Sequence, residues 1–152
     1  MPIKCEIVSQ DRMVYEGDAD TVIIPGVVGE MGILPNHAPL LSTMGFGVIR
    51  VRTGEQEEVF TVAGGLVEVQ PDLVTILADV AENVAEIDVA RAQAARERIE
   101  KIMEEGPPPD QDAYLRMEAA LRRSKLRLEA ASRFRKGRRS SLSPMLEDET
   151  TG

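Results

Sequence analysis

The chain has 152 residues, with 18 Lys and Arg against 26 Asp and Glu for a net charge of −8, and it carries three Phe, two Tyr and no Trp. That length suits one compact domain with an appendage or two small domains, and any core has to be aliphatic. The net charge argues against nonspecific nucleic-acid binding by the whole molecule, the single Cys5 excludes an internal disulfide, and no apolar stretch reaches the roughly 18 residues that span a bilayer.

The charge is unevenly placed. Residues 1–86 carry 4 Lys/Arg against 14 Asp/Glu, a net of −10, whereas 87–136 carry 12 against 9, a net of +3, and 137–152 carry 2 against 3. An acidic body therefore bears a basic arm, a pattern that marks an interaction limb. Met1-Pro2-Ile3-Lys4 is followed by no apolar h-region, so no signal or transit peptide is expected. The expectation is a soluble protein whose membrane association, if any, comes through a partner.

From Pro2 to about Ala85 the chain reads as short strands and turns. "IKCEIV" alternates, "DADTVIIPG" and "GVIRVRTG" are β-rich runs stopped by glycine, and "EVFTVAGGLVEVQPDLVTILAD" holds two or three more strands, with Gln70-Pro71-Asp72 as turn chemistry. Gly64-Gly65 marks a bulge or a tight bend. Between the β-rich runs, Gly29–Leu41 reads as a loop. Many short strands with frequent turns imply a sandwich or a barrel.

The periodicity changes at Ile87. In "IDVARAQAARERIEKIMEE", Ala92, Ala95, Ile99 and Ile102 recur on one helical face, and Asp88 suits an N-cap. Gly106 and Pro107–Pro109 stop that helix. Asp110 can cap a second, in which Tyr114, Met117, Leu121, Ser124, Leu128 and Ala131 form a narrow stripe suited to one neighbouring helix. The pattern predicts an antiparallel helical hairpin over 87–136. A hairpin of two helices has little core of its own and should be loosely held. "GRRSSLSPMLEDETTG" (137–152) is polar and aperiodic, and reads as a disordered tail.

His37 is the only histidine. It lacks the partners a catalytic His needs and the companion ligands a metal site needs. It therefore reads as structural or interfacial, in a loop shaped by Gly26, Gly29, Gly32, Pro35 and Pro39. No phosphate-cradling motif is present, and no carboxylate pair has acid–base spacing, so no catalytic residue, metal or cofactor is expected. The arginines are more specific. Arg91 and Arg98 lie seven apart on the first helix, and Arg123 and Arg127 four apart on the second, so each pair shares a face. A closed hairpin could bring four guanidinium forks together, and such forks suit phosphate oxygens. Basic residues at these spacings also make an ordinary solvated face. A nucleic-acid module gripping with the basic helices is the reading from another class. The acidic first part and a stacking surface limited to Tyr114 and Phe134 argue against it.

A β domain followed by a helical hairpin, with "GEMGILPNHAPLLS" (Gly29–Ser42), "VAGGLVEV" (Val62–Val69) and "IDVARA" (Ile87–Ala92) in that order, resembles the epsilon subunit of bacterial rotary F-type ATP synthases over residues 2 to about 136. The resemblance implies a β + α fold: a flattened sandwich over 1–86 that binds the gamma subunit and the c-ring, and a regulatory hairpin over 87–136. The protein would then be a peripheral, non-catalytic central-stalk subunit of a proton-translocating ATP synthase, on the cytoplasmic face of the bacterial plasma membrane. Gly29, Gly32, Leu34, Pro35, Asn36, His37, Pro39 and Leu40 would face gamma or the c-ring. Arg116, Arg122, Arg123, Lys125, Arg127, Arg133 and Arg135 would form an arm that inhibits ATP hydrolysis when extended along gamma into the alpha/beta head. ATP-binding members carry an "I/L-D-x-x-R-A" signature with a further Arg, which Asp88, Arg91, Ala92 and Arg98 match. Glu82, six before the Asp, and Arg123 and Arg127, after "RMEAAL", complete the implied site, with ATP as a regulatory ligand. The proline run and the tail are departures from the family pattern.

Overall fold

The computed structural model describes residues 1–106, 108 and 110–140, the segment 136–140 by its backbone alone. The chain divides into two compact units, Met1–Glu86 and Ile87–Gly152.

The first unit is all β. Its strands are β1 (Ile3–Val8), β2 (Met13–Ala19), β3 (Thr21–Pro25), β4 (Glu30–Ile33), β5 (Leu40–Thr53), β6 (Gln56–Val69), β7 (Leu73–Ala78) and β8 (Ala81–Asn83), followed by a 3-10 turn over Val84–Glu86. They pair in the order β2-β1-β7-β6-β5-β3-β4, with β8 also on β6. The β1–β7 pair is parallel and the other named pairs are antiparallel.

The two 14-residue strands β5 and β6 run through both layers of a sandwich. β7 pairs with the later half of β6, from Gly65 to Val69, and β8 with the earlier half, Phe60 to Val62. β3 joins the far half of β5, at Arg50–Arg52. One layer is therefore β2-β1-β7 with the inner ends of β6 and β5, and the other is β8 with the outer ends of β6 and β5, then β3-β4. Between them lies one mainly aliphatic cluster, including Ile3, Cys5 and Ile7 of β1, Val22 and Ile24 of β3, Ile33, Ile49, Val67 and Ile76, with Phe60 among them. Burial pushes the Cys5 thiol up to about 12, so it is a small buried hydrophobe rather than a nucleophile.

The crossing of β6 between layers depends on two glycines. Phe60 and Val62 face the core before it, Val67 and Val69 after it, so the buried parity switches from even to odd. A regular strand keeps one parity. Gly64 (φ 85°) and Gly65 (φ 140°) provide the break, in a region that residues with a Cβ rarely adopt. Pairing with β5 stays in one register throughout, from Leu40↔Val69 to Thr53↔Gln56. The glycine pair is thus a bend without a slip. In β5 the buried side changes over the same stretch, from Met44 to Ile49 and Val51.

The β5–β6 hairpin closes over Gly54-Glu55, with Gly54 at φ 60°. Its root holds an ion cluster: Arg50 Nη2 is 3.1 Å and Arg52 Nε 2.7 Å from Glu57 Oε2. Burial alone would raise the Glu57 carboxyl, but the hydrogen bonds from Arg52 and Arg50 hold it below the usual range.

The reading of Gly29–Leu41 as a loop is corrected. Glu30–Ile33 is an edge strand on β3, and Leu40 and Leu41 already belong to β5; only residues 34–39 are irregular. The glycines of "GEMGI" hid a short strand, because β4 is held by its partner's backbone rather than by its own propensity. "DADTVIIPG", read as one run, is two strands separated at Asp20. The Asp20 carboxylate accepts from Gly54 N at 2.6 Å and fixes that corner to the β5–β6 turn.

The second unit is a helical hairpin of α1 (Val89–Glu104) and α2 (Gln111–Ser140). Asp88 is the N-cap of α1 and accepts from Arg91 N at 3.0 Å. Gly106, at φ 115°, closes its end, its N–H donating to Met103 O. Asp110 opens α2: its carbonyl accepts from Tyr114 N and its carboxylate from Asp112 N. The helices are antiparallel, since Arg135, far along α2, hydrogen-bonds to Ile87, just before α1. The boundary of the tail at 137 is also corrected, because α2 continues to Ser140. Gly137 costs about 1 kcal/mol within a helix, yet Arg138 and Arg139 are good helix formers and no proline intervenes. The rest of the expected tail, 141–152, and Pro107 and Pro109 lie outside the described residues.

Two measurements test these features. A Cβ on Gly65 would sit 2.3 Å from Leu77 O and 2.9 Å from Ala78 Cα. Gly65→Ala should therefore destabilise the protein by about 1–3 kcal/mol in urea unfolding, whereas Gly32→Ala, with nothing within 4 Å, should change the midpoint little. The depressed Glu57 carboxyl contributes stability above its unfolded value of about 4.3, and that contribution is lost as pH falls through the lower folded value. Glu57→Gln should therefore be less stable than the wild type near pH 7, and the gap should close in acid, when unfolding midpoints are compared at neutral pH and well below pH 4.

Candidate functional site

Two surfaces carry the candidate residues, one on each unit. On the sandwich, residues 34–39 make a tight connection. Asn36 is the non-glycine residue at positive φ (65°) among those described, which its short polar side chain tolerates. Its N–H donates to Pro71 O at 2.9 Å, which ties the loop to the β6–β7 turn, and His37 N donates to Leu34 O at 3.2 Å. The His37 ring pairs through Nδ1 with the neighbouring Ala38 carbonyl at 2.7 Å, a local brace. Pro35 and His37 are half-buried; Gly29, Gly32, Leu34, Asn36, Pro39 and Leu40 are exposed. Among the described residues no group of three His, Cys, Asp or Glu is placed to hold a metal ion.

Sequence reasoning missed the larger part of this surface. The backbone register aligns Met13 with Val8, Val8 with Leu77, Leu77 with Leu66, and Leu66 with Thr43. These residues form one row across five strands on the side turned away from the core. Leu66, Met13 and Leu77 are 43%, 49% and 51% exposed, which is unusual for large apolar groups set side by side. Beside the row, Val8, Gln10, Gly65, Leu66, Leu77 and Asp79 line a hollow of about 250 Å³. Leu34 (58%) and Leu41 (71%) add apolar surface, and Val27 (68%) and Val28 (102%) stand bare in the β3–β4 turn. A signal was present: Ile7-Val8, Leu66-Val67 and Ile76-Leu77 are adjacent apolar pairs, so each strand there is apolar on both faces.

On the hairpin, Asp88 is exposed and Ala92 fully buried. Arg91 and Arg98 are exposed, Arg123 and Arg127 half-buried. The helix connection at one end and the Arg135–Ile87 bond at the other set Arg91 and Arg98 alongside the middle of α2, which bears Arg123 and Arg127. The four thus lie at similar levels of one hairpin. Glu82 belongs to β8 in the first unit and is half-buried. Of the expected arm residues, Arg116, Arg122, Lys125 and Arg133 are exposed. Arg135 is partly buried, and its Nη2 donates to Ile87 O at 2.6 Å. The Arg133 guanidinium lies 5.2 Å from the centre of the Phe134 ring.

A β-sandwich with an outward apolar row, followed by a basic hairpin, defines a subunit built for assembly. Comparison with known proteins specifies which. Residues 2–84 match the family model of the ATP synthase delta/epsilon chain beta-sandwich domain, and 85–132 that of its long alpha-helix domain. The chain belongs to the ATP synthase delta/epsilon chain family, and its close relatives are epsilon chains, non-catalytic subunits of that complex. It is 45% identical over 127 residues to the ATP synthase epsilon chain of Halalkalibacterium halodurans, covering 84% of this chain and 95% of that one. It is 47% identical over 130 residues to that of Moorella thermoacetica, covering 85% and 96%. Among solved structures it is similar to a chain of the Euglena gracilis mitochondrial ATP synthase OSCP/F1/c-ring assembly, with TM-score 0.70 and 25% identity over 86% of this chain and 81% of that one. The fold also matches a chain of the Tetrahymena thermophila mitochondrial ATP synthase central stalk and c-ring, with TM-score 0.60 and 12% identity over 86% and 97%.

Proposed function

We propose that this chain is the epsilon subunit in the central stalk of a proton-translocating ATP synthase at the cytoplasmic face of a bacterial plasma membrane, reaching the membrane only through the complex. Its sandwich seats on the gamma subunit and the c-ring, and its hairpin regulates hydrolysis in the alpha/beta head. The observation that carries the assembly role is the Met13–Val8–Leu77–Leu66–Thr43 row. An apolar row of this extent on an acidic domain needs a protein partner, and continuity with Leu41 and Leu34 extends it to the 34–39 loop. The similarity to epsilon chains of two bacteria, and to a chain from an F1/c-ring assembly, supports gamma and the c-ring as that partner. The nucleic-acid reading is the weaker one, because the basic helices adjoin a sequence segment of net −10.

The regulatory half of the proposal rests on the hairpin. Extended along gamma, α2 offers Arg116, Arg122, Lys125 and Arg133, with Arg123, Arg127 and Arg135 released from partial burial. Single exposed ion pairs contribute about 0–1 kcal/mol each, so several acting together are needed to hold an inhibited state. Closed, the hairpin sets Arg91, Arg98, Arg123 and Arg127 at similar levels, where a triphosphate can take charge-assisted hydrogen bonds. Ala92, the small residue of the signature, is fully buried. Asp88 caps α1 through one carboxylate oxygen and keeps the other for a ribose or amino donor. ATP bound to the closed hairpin alone shifts the population away from the extended arm by its differential affinity.

Three outcomes are expected. Leu66→Asp with Leu77→Asp, both outward, should leave the sandwich folded by circular dichroism and abolish co-purification with gamma; intact binding would reject the row as the interface. Deleting 110–152 should raise ATP hydrolysis by the assembled complex several-fold, and high salt should do the same to the intact complex by screening the arm. Calorimetry of the isolated chain with ATP should show one site, weakened about tenfold or more by Arg91→Ala or Arg127→Ala, given the ~1.5–3 kcal/mol of a charged hydrogen bond. No heat at millimolar ATP would discard the sensor and leave the assembly role standing.

A further inference from the structure

Ile87 is buried, and its carbonyl precedes the hydrogen-bond ladder of α1. The first helical bond runs from Ala92 N to Asp88 O, and Arg91 N is taken by the Asp88 carboxylate. Ile87 O therefore receives no amide from its own helix. The donor it has is Arg135 Nη2, at 2.6 Å and 48 residues away in sequence. Among the described residues, those buried in the two helices are small: Ala92 of α1, and Ser124, Ala130 and Ala131 of α2. The cationic guanidinium also sits at a helix N-terminus, where the dipole disfavours a positive charge. The contact is thus a specific carbonyl–guanidinium bond rather than a general electrostatic preference.

We infer that Arg135 is the latch of the closed hairpin and the positioning residue for its arginine cluster. Its bond to the Ile87 carbonyl holds α2 in the register that keeps Arg123 and Arg127 at the level of Arg91 and Arg98. Opening the hairpin breaks this bond and frees the same guanidinium, so one side chain belongs to the closed state and is surrendered to the extended arm. The regulatory meaning of that exchange rests on the proposed arm; the latch itself is a property of the isolated chain and is tested without ATP or the complex.

The test places spin labels at Glu97→Cys and Glu129→Cys, both exposed, in the full chain. Cys5 is buried and its thiol is pushed up to about 12, so it does not compete for label. Arg135→Met keeps side-chain length and removes the donor. It should raise the ratio of long to short inter-label distances about tenfold, equivalent to ~1.4 kcal/mol, with the helical dichroism unchanged. Arg135→Lys, which can still donate, should restore most of the short-distance population. Arg133→Met, on the same helix but over the Phe134 ring, should leave the distribution as in the parent. The latch is overturned if Arg135→Met keeps the parent distribution, if Arg133→Met opens the hairpin equally, or if the parent shows no short-distance population.

Discussion

The bend at Gly64-Gly65 is the constraint on which the rest of the sandwich depends. About 85 residues without tryptophan cannot fill two independent sheets, and a single flat sheet of eight strands would leave one face of every strand wet. Passing β5 and β6 through both layers lets the same two strands nucleate each side, so Ile3, Ile7, Val22, Ile24, Phe60 and Val67 enclose one core. This needs the buried parity to change without a loss of register. Two residues at positive φ do that, and at Gly65 any side chain would strike Leu77 and Ala78. The same bend brings Leu66 beside Leu77 on the outer face. The glycines that permit the core therefore also build the docking row.

The hairpin obeys different physics. Its buried residues are small, Ala92, Ser124, Ala130 and Ala131, and its ends are set by the Asp88 and Asp110 caps, the turn at Gly106 and the Arg135–Ile87 bond. Such an element sits at the low end of a protein's local stabilities. A weakly held limb is what a regulatory arm requires, because a ligand or partner of modest differential affinity can move it. The sandwich, by contrast, is over-determined by core packing and by strand pairing on all but its edges.

Charge separates the units in the same way. The acidic sandwich carries three of its four cations in local pairs, Lys4 with Glu6 and Glu16, and Arg50 and Arg52 with Glu57. The hairpin keeps Arg91, Arg98, Arg116, Arg122 and Arg133 exposed. The proposed roles of the arm draw on this exposed basic surface.

The β-then-α order, the change of periodicity at Ile87, the caps at Asp88 and Asp110 and the bend at Gly64-Gly65 were all legible in the sequence, because each rests on local chemistry: residue period, short polar side chains, and glycine at positive φ. So was the family, through three separated motifs. Tertiary structure alone decided the remainder. β4 exists because β3 pairs with it, against the propensity of its glycine, Gly32. The row from Met13 to Thr43 exists because five strands that are distant in sequence fall into one register. Arg135 reads as one more cation of a basic helix until the antiparallel fold brings it to Ile87. Each of these depends on a partner tens of residues away, and a sequence read through local windows holds no record of which partner the chain will meet.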